Sequence, residues 1–444
     1  MENKFWRKVR HRLKLKINRR GHPSRKALAF YHLKKYRPKR RFATIQDKVE
    51  FEIQNKIEFD RRVFRELLLK LPKIEIKIPK VFCLIEEPEG TLEYIDKIVH
   101  KFGNLTYSCR FFIDHSEVES YGLTASFLLD QALIGVKENA VRNGHKVYFS
   151  GRTKGDDKIT EFLKKFGILH SLQIVDDVSL RLDLRNSDSF AVKVNSTKYH
   201  YEGVATGILS FLDYFNTCFK KNGYELTDIG KNHFLRIFSE ILNNAEEHCG
   251  EESPEWAMLG YYDAIAHQVQ FAIMSRGKSI YETLKSRITD KETMFNYHYS
   301  SFQKHEANFA NVKGGINCQE HIWTLFALQD GVSCDKGEPG QSKATRGQGM
   351  MDIIKLITAL KNDDDEEAVI SIISGRTRIL VNNKYEIKVD KINEMTEIRT
   401  ISFNSENSLD NLPDRENVMM INEAFKGTII TGKFNIKADY LRKD

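Results

Sequence analysis

Proline is scarce in this chain, eight in 444 residues, and no low-complexity tract interrupts it, so few long linkers are expected. The six cysteines, at positions 83, 109, 218, 249, 318 and 334, contain no C-x-x-C pair. With no signal peptide beside them, reduced cytosolic thiols are expected rather than disulfides or a zinc site. His298, His305 and His321 do not form a metal-ligand spacing either. Nowhere do about twenty apolar residues run together, so no transmembrane helix is expected. These absences point to a cytoplasmic protein without membrane insertion.

Acidic residues are nearly missing from the first 41 positions. Seventeen lysines and arginines stand there against the single Glu2, about +16, while the rest of the chain carries about −8 of the overall +8. The positive charge therefore belongs to a tail, residues 1–45, and not to the folded domains. Trp6, Phe30, Tyr31 and Tyr36 are interleaved with it, a composition suited to phosphate contact and base stacking on nucleic acid. A solvated tail, an anionic membrane surface or an acidic partner would use the same charge. Residues 46–77, charged and periodic, read as a helical connector.

With 41% hydrophobic residues the remainder is long enough for two cores. From 78 to 200, apolar runs alternate with helical patterns. Lys80 to Ile85, Ser108 to Asp114 and Lys146 to Gly151 read as strands; Thr91 to Phe102, Tyr121 to Asn143 and Lys158 to Phe166 read as helices. That order is an α/β layer domain. Ile113-Asp114-His-Ser116-Glu-Val-Glu-Ser120-Tyr-Gly122 gives a strand-terminal aspartate, a loop with serines and a glycine opening a helix, and here the segment resembles the STAS-like domains of anti-sigma-factor antagonists. The resemblance implies a protein partner and a phosphorylated loop serine, Ser120 or else Ser116. A plain helix N-cap is the structural alternative.

Glu240, Asn244 and His248 fall at i, i+4 and i+8, one face of a helix whose other face is Phe234, Ile237, Phe238, Ile241 and Leu242. The stretch resembles the N-box, E-x-x-x-N-A-x-x-H/D, of the ATP-binding fold shared by gyrase, ATP-driven chaperones, histidine kinases and MutL (GHKL). That resemblance implies Mg held by Asn244, a nucleophile activated by Glu240, and His248 in the last box position. Three further boxes follow in order. Ser275-Arg-Gly277-Lys-Ser279 lies where the family has D-x-G-x-G, with Gly277 the first glycine, Ser275 replacing the adenine-binding aspartate and Ser279 the second glycine. Arg346-Gly347-Gln-Gly349-Met resembles the second glycine box, where backbone N–H groups at a helix start would cradle phosphates. Thr428, opening a late apolar run, fits the threonine on the adenine side.

Between these boxes, Phe295 to Lys343 reads as a polar segment, a lid over nucleotide or a surface insertion. Ala368 to Arg376 and Thr377 to Val381 read as two strands paired around a glycine turn. The expected fold is α/β (α+β): a GHKL-type sandwich with a mixed sheet over 205–444, after the smaller STAS-like domain. The implied cofactors are ATP and Mg, and ATP-linked homodimerisation is a further implication. An ATP-hydrolysing switch acting on a protein or nucleic-acid partner is the leading expectation. A serine kinase of the anti-sigma type and a non-catalytic nucleotide-sensing scaffold are the alternatives.

Overall fold

The chain divides into two compact units, Met1–Lys70 and Leu71–Asp444. A computed structural model describes residues 69–443, apart from 155–157, 166–188, 196–200, 249–254, 264–265, 288–289, 311–318, 333–348, 361–367, 383 and 394–395. The basic tail and most of the connector lie outside the described residues.

The first layer of the second unit runs β1 (Lys73–Lys77), β2 (Val81–Phe82), α1 (Pro88–Phe102), β3 (Cys109–Asp114), β4 (Ser120–Tyr121), α2 (Leu123–Arg142), β5 (Val147–Arg152) and α3 (Lys158–Lys165). Its parallel sheet has the order β1-β3-β5. The first sheet strand is thus the charged alternation Lys-Ile-Glu-Ile-Lys at the end of the expected connector. The apolar run from Lys80 instead makes a two-residue parallel pair with β4 and then turns. Pro88 in the first turn and the Glu87 carboxylate, which accepts the Gly90 N–H at 3.3 Å, start α1 there.

The second layer comprises β6 (Ser189–Asn195), α4 (Tyr201–Lys221), β7 (Tyr224–Leu226), α5 (Asp228–His248), β8 (Glu255–Asp263) and β9 (Gln268–Arg276). A helical lobe follows: α6 (Ile280–Arg287), α7 (Lys291–Phe295), α8 (Tyr299–Ala310) and α9 (Glu320–Ala327). Then come α10 (Gly349–Leu360), β10 (Val369–Val381), β11 (Lys388–Asn393), β12 (Thr396–Thr400), β13 (Val418–Asn435) and β14 (Leu441–Lys443). The main sheet has the order β10-β13-β9-β8-β6. Strand β6, inside the 78–200 segment, is its edge. All four ladders are antiparallel, which corrects the expectation of a mixed sheet. The short β8–β9 connection permits only antiparallel pairing.

Residues alternate along these strands, so each face has its own core. On the front, Met258, Phe271, Ile273, Ile370, Ile372 and Ile430 meet Phe211 and Phe215 of α4, Phe234, Ile237 and Phe238 of α5, and Ile353 and Ile354 of α10. On the rear, Leu259, Ala272, Met274, Ile373 and Ile429 join the core built by α1 and α2. Each fully buried Phe or Ile contributes on the order of 1.5–3 kcal/mol. The first layer is therefore packed on the main sheet. Thr124 of α2 donates to Thr431 Oγ1 at 2.9 Å, Thr431 donates to the Phe271 carbonyl at 2.9 Å, and Arg378 donates to the Ile85 carbonyl at 2.8 Å.

Two expectations change here. The segments around Gly375 form one strand, β10, not a hairpin. Both halves pair with β13, and the register shifts on either side of Gly375, whose φ of +58° makes a bulge instead of a turn. The polar stretch after Phe295 is, through its described residues, a folded lobe with its own aromatic core. Phe295 stacks on Phe302 with centroids 3.8 Å apart, and Trp323 and Phe326 close on both. Among the described residues no helix is long and apolar enough to cross a membrane.

Candidate functional site

Just ahead of α5 the Thr227 hydroxyl accepts the Gly230 N–H at 3.2 Å, and the helix runs unbroken through the acidic-amide stripe. Its apolar side is buried, with Phe234, Ile237, Phe238, Ile241 and Leu242 no more than 2% exposed. Glu240 and Asn244 sit one turn apart and are half-buried. His248 is the last residue of the helix, and its side chain lies outside the description. The helix is set on the sheet by Phe238 against Phe271, rings 5.4 Å apart and near perpendicular.

The stripe is tied to the helix that begins at Gly349. Arg236 of α5 donates to Asp352 of α10 at 2.9 Å, and Arg399 of β12 takes the other Asp352 oxygen at 2.5 Å. Arg346 and Gly347 lie outside the described residues; Gly349 is the first residue of α10. The two helices thus pack side by side on one sheet face.

The expected base side is assembled by three strands. Ser275 of β9, Thr428 of β13 and Ser374 of β10 are in direct register, and Trp256 of β8 faces Ser275 from the other side. Ser275 is 6% exposed and Ser374 is fully buried. Thr428 Oγ1 and Ser374 Oγ are 2.8 Å apart; Ser374 also accepts the Ile280 N–H at 2.8 Å and reaches the Gly427 carbonyl at 3.3 Å. With the Ser374 hydrogen on Gly427, Thr428 donates to Ser374 and keeps its own lone pairs free to accept. Trp256, buried, has an indole N–H without an acceptor among the described residues. A buried donor of this kind is uncommon and suits an added acceptor.

Gly277 follows β9 and donates to the Lys426 carbonyl at 3.3 Å, which brings the glycine box alongside Gly427 and Thr428. Gly427 has φ +130°, and a Cβ there would overlap the Ser275 carbonyl oxygen, so only glycine lets the two strands approach this closely. Ser279 has a local task. Its hydroxyl accepts the Glu282 N–H at 3.1 Å, and Glu282 accepts the Ser279 N–H at 2.8 Å, a capping box opening α6. The Ser-x-x-Glu spacing before an apolar helix carries that signal in the sequence.

Glu320 is a residue that sequence reasoning misses. From the start of α9 it places its carboxylate against Gly375 and accepts the Arg376 N–H at 2.6 Å. Burial pushes its carboxyl group up from the usual range, opposed by that hydrogen bond. No local pattern marks it, because its partner is 56 residues away.

His298 and His305 have structural partners, the Asp330 and Leu409 carbonyls at 2.9 and 2.8 Å. Ser116 donates to Asp114 at 2.7 Å, and Ser120 stands in β4, while the N-cap of α2 is Gly122. The N-cap alternative for Ser120 is thereby excluded. Set against known proteins, the chain matches no family model, no curated protein and no solved structure.

Proposed function

We propose that the front face of the main sheet binds a nucleotide, with ATP and Mg the leading pair, and that the protein is an ATP-hydrolysing switch of the GHKL type. The observation that carries the reading is that α5 with its Glu240–Asn244 stripe, the helix that begins at Gly349 and the Ser275–Thr428 strand pair all belong to the front face of the sheet, with α5 and α10 joined by the Arg236–Asp352 ion pair. Asn244 would supply an oxygen to Mg, and Glu240 would take a proton from the attacking water. Gly347 and Gly349 would present N–H groups to phosphate, with Arg346 beside them and His248 closing the helix end. Ser275, Gly277 and Thr428 would face the base. Mg, when bound, would neutralise phosphate charge.

A non-catalytic nucleotide sensor is the second reading. It is favoured by the uncharged Ser275 and by the engagement of Ser279 in its capping box. A serine kinase acting on Ser120, or on a partner docked at the first layer, would use the same front face; nucleic acid would engage residues 1–41, and nucleotide would promote homodimerisation.

Incubation of the full-length chain with γ-labelled ATP and Mg separates these readings. A switch releases phosphate, a kinase leaves label on serine, and a sensor retains ATP unchanged. Glu240→Ala should lower turnover by about 10²–10⁴-fold with binding intact, the range for loss of a general base. Asn244→Ala should abolish the Mg dependence of binding. If both variants match the parent in binding and turnover, this assignment of the site fails.

A further inference from the structure

The parallel sheet of the first layer has two unlike faces. Cys109, Phe111 and Val147 belong to the core shared with α1 and α2. By the alternation of side chains, Lys73, Arg110 and Tyr148 stand in one row across the opposite face. Phe112 is in the next row, with the Lys73 ammonium 4.0 Å from its ring centre, and Glu75 beside it is held by Lys73 at 3.2 Å.

This face runs on into two loops that are joined to each other. Ser108 accepts the Lys146 N–H at 2.9 Å, the Lys146 carbonyl accepts the Cys109 N–H at 3.0 Å, and Asn139 donates to the Gly103 carbonyl. The loop from α1 to β3 and the loop from α2 to β5 therefore form one edge. Neither Lys97 to Ile113 nor Asn139 to Lys154 contains an aspartate or glutamate, although the chain beyond its basic tail carries about −8. Lys97, Arg142 and Arg152 are engaged by acids from outside these stretches, Glu93, Glu138 and Asp114. Lys101, Arg110 and Lys146 form no ion pair among the described residues, and Arg110 Nε is buried without a hydrogen-bond partner there. In the same loop as Lys101, Tyr107 is 46% exposed.

Lys101 suits the negative end of α1, but Arg110 and Lys146 lie on no helix. Three cations without acids around an exposed aromatic ring fit a chain of phosphates carrying bases that can stack. Stacking on Tyr107 needs an unpaired base, so a single strand fits and a duplex does not. Val99 and Val141, exposed on the neighbouring helices, offer far less apolar area than the face by which an interfacial helix enters a bilayer.

We infer that this edge of the first layer is a binding surface for single-stranded nucleic acid, with phosphates at Lys101, Arg110 and Lys146 and a base stacked on Tyr107. It uses residues other than those of the basic tail and stands independently of the nucleotide reading.

Fluorescence anisotropy of the full-length chain with labelled oligothymidylate, over a range of salt concentrations, tests it. Tyr107→Ala should weaken binding about fivefold or more, the lower end for loss of one stacked base. Arg110→Gln with Lys146→Gln should lower the slope of log K against log salt by about 1.4, about 0.7 for each single-strand phosphate contact. Lys388→Gln with Lys391→Gln removes the same charge from β11 and should leave affinity and slope unchanged. Ultraviolet cross-linking of the unsubstituted protein, mapped by peptide mass, should label the peptide that bears Tyr107, a result that depends on no variant folding. Three outcomes overturn the inference: cross-links confined to residues 1–41, equal responses of the two double variants, or substitutions here that abolish binding to phosphatidylserine vesicles while oligothymidylate binding stands.

Discussion

Arg399 grips Asp330 with two guanidinium bonds, Nε to Oδ2 at 2.7 Å and Nη2 to Oδ1 at 3.0 Å, while its backbone N–H donates to the same carboxylate at 2.9 Å. Asp330 follows α9, and the remaining guanidinium nitrogen of Arg399 holds Asp352 on α10. One side chain thus fastens the helical lobe to the helix that begins at Gly349. Asp330 is 1% exposed, so Arg399→Met should strand a buried carboxylate and cost about 3–5 kcal/mol in urea unfolding. The double variant Arg399→Met, Asp330→Asn should recover part of that loss. Equal losses in the single and double variants would show that the pair contributes only through packing.

Ser275 gives a direct test of the proposed base side. Under the proposed reading, Ser275→Asp places a carboxylate on the base side, and a charge-assisted hydrogen bond to an adenine amino group should tighten ATP binding about tenfold. GTP, which lacks that amino group at the equivalent ring position, should gain nothing. Equilibrium dialysis with both nucleotides decides it, and equal effects on the two would remove Ser275 from the base contact.

Gly427→Ala should destabilise the protein by more than the roughly 1–3 kcal/mol of an unfavourable backbone conformation, because the added methyl also overlaps the Ser275 carbonyl. Thermal unfolding measures the loss. A change under 1 kcal/mol would mean that β9 and β13 can part without cost at this point.

The fold was legible where the periodicity was local. Phe234 to Leu242 mark α5 at helical spacing, and the alternation of strands and helices from Cys109 to Lys165 matches the first layer closely. It was illegible where the outcome depends on distant partners. Lys73-Ile-Glu-Ile-Lys77 has too few apolar residues to announce a sheet strand, and only pairing with β3 makes it one. Gly375 looks like a turn because a left-handed glycine serves both turns and bulges; β13, long enough to pair with both halves, decides for the bulge. In the candidate site, the Glu240–Asn244 stripe was visible, whereas Ser374 and Glu320 arrive from strands and helices that no spacing connects to Ser275.

His115 supplies a pH signature. It is 2% exposed, and burial lowers its pKa to about 4 against the opposing pull of the Asp114 carboxylate; Tyr121 OH lies 3.4 Å from Nε2. The folded state keeps the ring neutral while the unfolded chain protonates near pH 6.5, so the unfolded state binds more protons between these values. Stability should be full above pH 6.5, fall as pH drops toward 4, and level off with respect to this residue below that, by at most about 3 kcal/mol. Burial lowers the His321 pKa to about 4 as well, and repulsion from His305 and Arg415 adds to it, so the same window applies. His115→Gln should flatten part of the slope in urea unfolding followed against pH; an unchanged slope would assign it to other groups.

Strand β13 serves both faces of the main sheet on a single thread. Thr428 belongs to the front face and Thr431 and Lys433 to the rear, an assignment set by nothing more than odd and even positions along the chain. Inserting one residue between Thr428 and Thr431 would exchange the faces of everything downstream, turning Lys433 into the apolar front core and withdrawing it from the rear. A change in the length of this strand by one residue would therefore disturb both faces together, whereas a replacement touches one face at a time.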